Sequence, residues 1–324
     1  MDKEKLKKSL GDFAYKVSDV TKDAAIKVKD ASIVVKEKTV DTAVITKEKL
    51  IEALDENKDG EVSIEDIIIK GLRTPGVRID REEFLRKELF KNYSEDIIDD
   101  VVLHNPSHAG ITIKEIDKIA DEVIKYERNC VSGISAALGA PGGAAMIATL
   151  PADIIQYYGY MLRTIQKLMY LYGFPEIKID EKNNCFDSET INLMVICFGV
   201  MYGVASANSA IKAVAAGLAK GISKKIMTTA LTKGTIYPII KNVAKWFGVK
   251  MTKKLLAGFV QKSIPLVGAV IGGGLTFFSF KPCCDNLKES LRNTMLSNPD
   301  YKAVGEEKEL IEDLIKEAEY VEKE

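Results

Sequence analysis

Between Thr190 and Cys284 the chain has no aspartate and no glutamate, yet it carries 12 lysines there, within a molecule whose overall net charge is only -1. The acids are crowded before and after that block. Such a split points to an anionic surface facing the middle of the chain, and a membrane is the surface that fits best. The same lysines also fit a plainer role, keeping a very apolar helical stretch soluble. Histidine occurs only twice, as His104 and His108, and tryptophan once. The five cysteines are odd in number and show no C-x-x-C spacing, which leaves no zinc-ribbon or disulfide framework. The start, MDKEKLKKSL, has no apolar leader. Reduced thiols and a cytoplasmic location are therefore the expectation. No phosphate-cradling glycine loop and no nucleophile–base constellation occurs, so an enzyme is the less favoured class. Few aromatics are interleaved with the lysines, and nucleic-acid binding is not expected.

What is present begins with a repeat. Lys16, Lys27, Lys38 and Lys49 are spaced by eleven, as are Asp19, Asp30, Asp41 and Glu52. Eleven residues make three turns at 3.67 residues per turn, so each position returns to nearly the same face. Residues 1–46 are read as a long amphipathic helix. Its stripe of Ala, Val and Thr is shallow, which suits either a lipid surface or a helical partner.

Residues 55–66 read DENKDGEVSIED. Asp55, Asn57 and Asp59 alternate so that their oxygens converge, and Gly60 permits the sharp turn around an ion. Glu61 offers its backbone carbonyl, Ser63 starts the next helix, and Asp66 occupies the closing position. Calcium takes six to eight hard oxygens at flexible distances, and this spacing is that of an EF-hand loop. The predicted metal ligands are Asp55, Asn57, Asp59, Glu61 and Asp66. Asp66 has a shorter arm than the usual glutamate, which weakens calcium binding or tilts it towards magnesium. Ser63 and Asp66 also form a capping pattern.

A shift of 49 residues places Val62 on Ile111, Ser63 on Thr112 and Asp66 on Glu115, which suggests a degenerate second loop braced by a Val62–Ile111 strand contact. His104 and His108 fall where ligands would sit. They suit a transition metal in spacing, but no further ligand is evident from the sequence. Asp80 and Thr112 read as helix N-caps. The helix after Thr112 is expected to turn Ile116, Ile119, Val123, Ile124 and Tyr126 inward.

From Asn129 to Ala152 no charge occurs, but Gly133, Gly139, Pro141, Gly142, Gly143 and Pro151 argue for a buried hairpin in place of a straight membrane span. Pro151 is expected in the first turn of a helix that carries Asp153, Gln156, Tyr160, Arg163 and Lys167 on one face. Asp153 and Arg163 are about 15 Å apart along such a helix and need separate partners. Thr190–Ile211 and Ser263–Phe280 are two more uncharged runs expected as buried hairpins, and Trp246-Phe247 beside Lys245 and Lys250 suits a headgroup boundary. The five tyrosines from Tyr157 to Tyr172 suit either a membrane interface or a core.

Several of these pieces resemble the EcsC family: GAPGG (139–143), LPAD (150–153), the Tyr/Gln/Arg helix that follows, YGF (172–174), and IPLVGAVIGGG (264–274). The resemblance covers roughly residues 80–295. Thr276 stands where the family places an asparagine. The resemblance implies an α-helical, membrane-associated protein of bacteria without an agreed activity, and it supplies no catalytic residues.

The sequence therefore predicts an all-α protein in four parts: the repeat helix 1–46, an EF-hand-like module 47–126, an EcsC-like glycine-rich core 127–295, and an acidic helical tail 296–324. The expected function is a calcium-binding, peripherally membrane-associated protein whose partners are anionic membranes or other helical or membrane proteins. The alternative is an enzyme or lipid-handling protein that uses the polar face from Asp153 to Arg163, with calcium only structural.

Overall fold

The computed structural model describes residues 51–139, 143–177, 186–247 and 267–321. The chain divides into two compact units, 1–49 and 50–324, and all described residues belong to the second. The eleven-residue repeat lies outside the described residues, as do 140–142 of the glycine run, Cys185 and the lysines from 250 to 262. The fold is all-α. Among the described residues no strand occurs.

Three short helices come first: α1 (Ile64–Arg73), α2 (Arg81–Leu89) and α3 (Glu95–Leu103). Each starts where sequence chemistry says it should. Ser63 accepts from the Asp66 N–H while Asp66 accepts from the Ser63 N–H, a reciprocal cap, and Asp80 accepts from the Glu83 N–H. α1 ends at Thr74, and Gly76 turns the chain at φ +80°. α1 buries Ile64, Ile67, Ile68 and Leu72 against the long core helices.

α4 (Ile113–Gly139) and α5 (Gly143–Leu171) form the central hairpin. The expected hairpin is thus observed, but its second arm starts earlier than expected. Pro151 and Asp153 lie inside α5 and not in its first turn. The Ala-rich segment before Pro151 is good helix former, and proline removes only one backbone donor there. In α4, Ile116, Ile119, Val123 and Ile124 are buried as the spacing predicts. Tyr126 stays exposed, and the next residue, Glu127, turns inward instead.

α6 (Ser188–Met201) and α7 (Ala205–Ala219) form the second hairpin, turned at Gly203 with φ +78°. Their crossing is close: a Cβ on Gly199 would stand 2.6 Å from the Ala207 Cβ. α8 (Lys224–Thr232) and the helical segment 237–247 follow. Phe247 packs edge-on against Trp246 and Tyr202, Trp246 lies tilted against Tyr202, and Phe247 is buried. Phe247 therefore belongs to the core beside Tyr202 and Phe198, while Trp246 is half-buried next to the exposed Lys245. Tyr158, Tyr170 and Tyr172 are likewise buried.

α9 (Val267–Arg292) runs unbroken through Gly272–Gly274 and Pro282, where a hairpin was expected. It lies along α4, and two ion pairs fix its far end there: Lys288 to Asp121 at 2.6 Å and Arg292 to Asp117 at 3.0 Å. Packing along that length offsets the poor helix propensity of glycine. α10 (Glu306–Val321) packs on α7 and α8 through Ile311 and Leu314, and Glu307 pairs with Lys212 at 3.0 Å. One hydrophobic cluster joins Leu54 at one end of the sequence to Leu314 at the other. Among the described residues no helix is long and apolar enough to cross a membrane.

Candidate metal centres and the buried charge network

The 55–66 loop folds around its own side-chain oxygens. Asp55 accepts from the backbone N–H groups of Lys58 at 2.6 Å and Gly60 at 2.8 Å. Asn57 Oδ1 accepts from Asp59 N–H, and Asp59 Oδ1 accepts from Glu61 N–H, each at 2.9 Å. Asn57 Nδ2 also donates to Asp59 Oδ2 at 2.9 Å, so these two groups touch across the loop. Two left-handed positions, Lys58 at φ 61° and Gly60 at φ 87°, make the reversal. Each oxygen that accepts one backbone donor keeps a further lone pair. An all-oxygen set of this kind suits a hard divalent cation such as calcium or magnesium.

Asp66 is placed differently. It is 2 % exposed, and both its oxygens are engaged. Oδ1 accepts from Glu56 N–H at 3.2 Å, while Oδ2 accepts from Ser63 N–H at 2.9 Å and Ser63 Oγ–H at 2.6 Å. It therefore ties the loop's entrance to its exit at the base of α1. The Asn57 and Asp59 side chains meet on the exposed side of the loop, and Asp55 is half-buried at its entrance. Glu56, beside this brace, pairs with Lys70 and Arg73 of α1. The proposed second loop is not joined to the first by backbone: Ile111 donates to Pro106 O within its own turn, and among the described residues Val62 makes no ladder with it. Thr112 and Glu115 act as a helix cap.

The polar face of α5 is committed to α4. Glu127 of α4 is completely buried, accepting from Lys167 Nζ at 2.6 Å and from Arg163 at 3.1 and 3.2 Å. Arg163 also donates to Gly76 O. Burial pulls the Arg163 guanidinium down, but its bonds to Glu127 outweigh this and its pKa is raised. Asp153 accepts from Ser135 of α4 at 2.8 Å. The two residues found separate partners, as their spacing required. The YGF turn is explained by its contacts. Tyr172 donates to Asp117 at 2.7 Å, Gly173 has φ +92°, and Phe174 is fully buried.

Two features escaped the sequence reading. Arg81 donates to the carbonyls of Val101, Val102, His104 and Phe174, so one guanidinium closes the C-terminal end of α3. Burial lowers its pKa. The second is Asp100, which meets both histidines of the chain. Its signal was present as D-x-x-x-H-x-x-x-H, four-residue steps that put Asp100 and His104 on one helix face.

No family model, no curated protein and no solved structure matches this chain.

Proposed function

We propose that the chain is a calcium-binding protein that associates peripherally with anionic membranes, with the ion held by Asp55, Asn57, Asp59 and the Glu61 carbonyl. The observation that carries this reading is the inward-turned, backbone-supported oxygen set of the 55–66 loop. Asp66 gives the loop a mechanical link: any order that an ion imposes passes through its bonds to Glu56 and Ser63 into α1. α1 in turn buries four apolar side chains against the core. Magnesium is the competing ion, because an aspartate at the closing position reaches less far than a glutamate.

The membrane half of the proposal rests on charge. Lys220, Lys224, Lys225, Lys233, Lys241 and Lys245 are exposed, and no acid among the described residues pairs with them. Near a negative leaflet each lysine contributes about 1 kcal/mol of attraction. Phe278, 76 % exposed on α9 in the same acid-free block, supplies an apolar contact. Membership of the EcsC family for the core is part of this proposal, supported by the GAPGG, LPAD and YGF pieces on the α4–α5 hairpin and its closing turn.

A lipid-handling role is the second reading. A cleft of ≈ 240 Å³ floored by Met169, Phe174, Leu193 and Leu218 and rimmed by Glu189 and Lys224 favours it. The Asp153–Arg163 face does not, since those side chains are spent on Ser135 and Glu127.

Sedimentation with vesicles tests the proposal. Full-length protein should pellet with phosphatidylserine-containing vesicles and much less with neutral ones. Calcium should change that partition in the wild type and not in Asp55→Ala. Equal pelleting with both vesicle types, or the same calcium response in both proteins, overturns it.

A further inference from the structure

The C-terminal end of α3 carries a side-chain cluster that neither the calcium loop nor the core uses. Asp100 Oδ1 lies 2.8 Å from His104 Nδ1, and the same carboxylate lies 3.3 Å from His108 Nδ1. The two imidazoles stack with centroids 4.0 Å apart. One ligand atom from each of the three residues falls within 4.8 Å of the others, and among the described residues no other such group of His, Cys, Asp or Glu occurs. Tetrahedral zinc has bonds of about 2.0–2.1 Å, which sets neighbouring ligand atoms about 3.3 Å apart. The His108 separation from Asp100 matches that spacing, and the His104 separation is about 0.5 Å shorter.

The cluster is held from behind. Arg81 grips the carbonyls of Val101, Val102 and His104. Asn105 Oδ1 accepts from His108 N–H at 2.9 Å, and Ile111 N–H donates to Pro106 O at 3.0 Å. Pro106 and Ile111 are buried, so the turn bearing His108 is anchored on both sides. The rings themselves remain open, with His104 44 % and His108 56 % exposed, which leaves an entry path and room for water ligands.

Electrostatics favours a cation here. α3 reads EDIIDDVVL, four acids and no base, and its C-terminal end carries the negative pole of the helix dipole. Arg86 offsets Asp99, at 2.7 Å, whereas among the described residues the Asp100 carboxylate meets the two imidazoles and no Lys or Arg.

We propose that Asp100, His104 and His108 bind a transition-metal ion of the zinc class through three protein ligands, with water completing its shell. The mixed nitrogen and oxygen donors set this site apart from the all-oxygen calcium loop.

Cobalt(II) is the probe, read by its visible ligand-field absorption. Tag-free, full-length Asp55→Ala protein, in which the calcium loop is disabled, should bind one equivalent of cobalt and release it to zinc. In that background His108→Ala should weaken binding by at least about tenfold, and Asp100→Asn by a similar factor. His108 is exposed and Asp100 half-buried, and unchanged helical circular dichroism should accompany the loss. No saturable cobalt binding by the parent overturns the proposal, as does equal affinity in the parent and His108→Ala.

Discussion

Glu127→Gln removes one charge and almost no volume from the interface between α4 and α5. The wild-type carboxylate is fully buried and holds two cations, Lys167 at 2.6 Å and Arg163 at 3.1 Å. The glutamine keeps one acceptor but turns an N–H₂ group towards a cation. Breaking a buried ion pair by removing one partner costs about 3–5 kcal/mol, because the remaining charge is left uncompensated. Arg163 retains the Gly76 carbonyl, and the side chains of Lys167 and Arg163 are 11 % and 24 % exposed, so water reaches them in part. The expected loss is therefore at the low end, about 3 kcal/mol. Urea unfolding followed by circular dichroism reads it as a lowered midpoint. The control is Arg86→Ala: its partners Glu82 and Asp99 are well exposed, and a loss below about 1 kcal/mol is expected. A Glu127→Gln loss no larger than that of the control would refute the reasoning, since burial would then confer no special dependence on the charge.

Two glycine substitutions should move stability in opposite directions. Gly199→Ala drives a Cβ to 2.6 Å from the Ala207 Cβ and 2.8 Å from Val243 Cγ1, and neither neighbour has a flexible end to move, so a loss of about 1–3 kcal/mol is expected in thermal unfolding. Gly133→Ala, at an exposed position of α4, meets nothing within 4 Å and should stabilise by about 0.4–1 kcal/mol in the same assay.

Local signals proved the most legible part of the sequence. Ser63, Asp80 and Thr112 were read as N-caps from residue type and spacing, and all three helices begin there. The α6–α7 hairpin was legible from its uncharged run and from Gly203. Pro151 and Gly272–Gly274 misled, because they lower helix propensity locally, while long helices packed side by side tolerate them. Phe247 was read as interfacial beside Lys245, and only the partner helix shows that Tyr202 and Phe198 pack on it. Contacts between distant segments were not legible. Nothing in the spacing of α5 announces that Glu127 sits opposite Arg163 and Lys167, 36 and 40 residues away. The predicted ligands of the 55–66 loop were named from alternation alone; in the structure Asp55, Asn57 and Asp59 accept loop N–H groups, while Asp66 is turned to the base.

Calcium calorimetry on the wild type and on Asp55→Ala addresses the 55–66 loop directly. Both Asp55 oxygens accept loop N–H groups while Asp66 caps α1, so under the proposed function Asp55→Ala removes a ligand and leaves the Asp66 cap in place. The account predicts one saturable calcium site in the wild type and none in Asp55→Ala under the same conditions. Absence of saturable calcium binding by the wild type, or an unchanged isotherm in the variant, would contradict it.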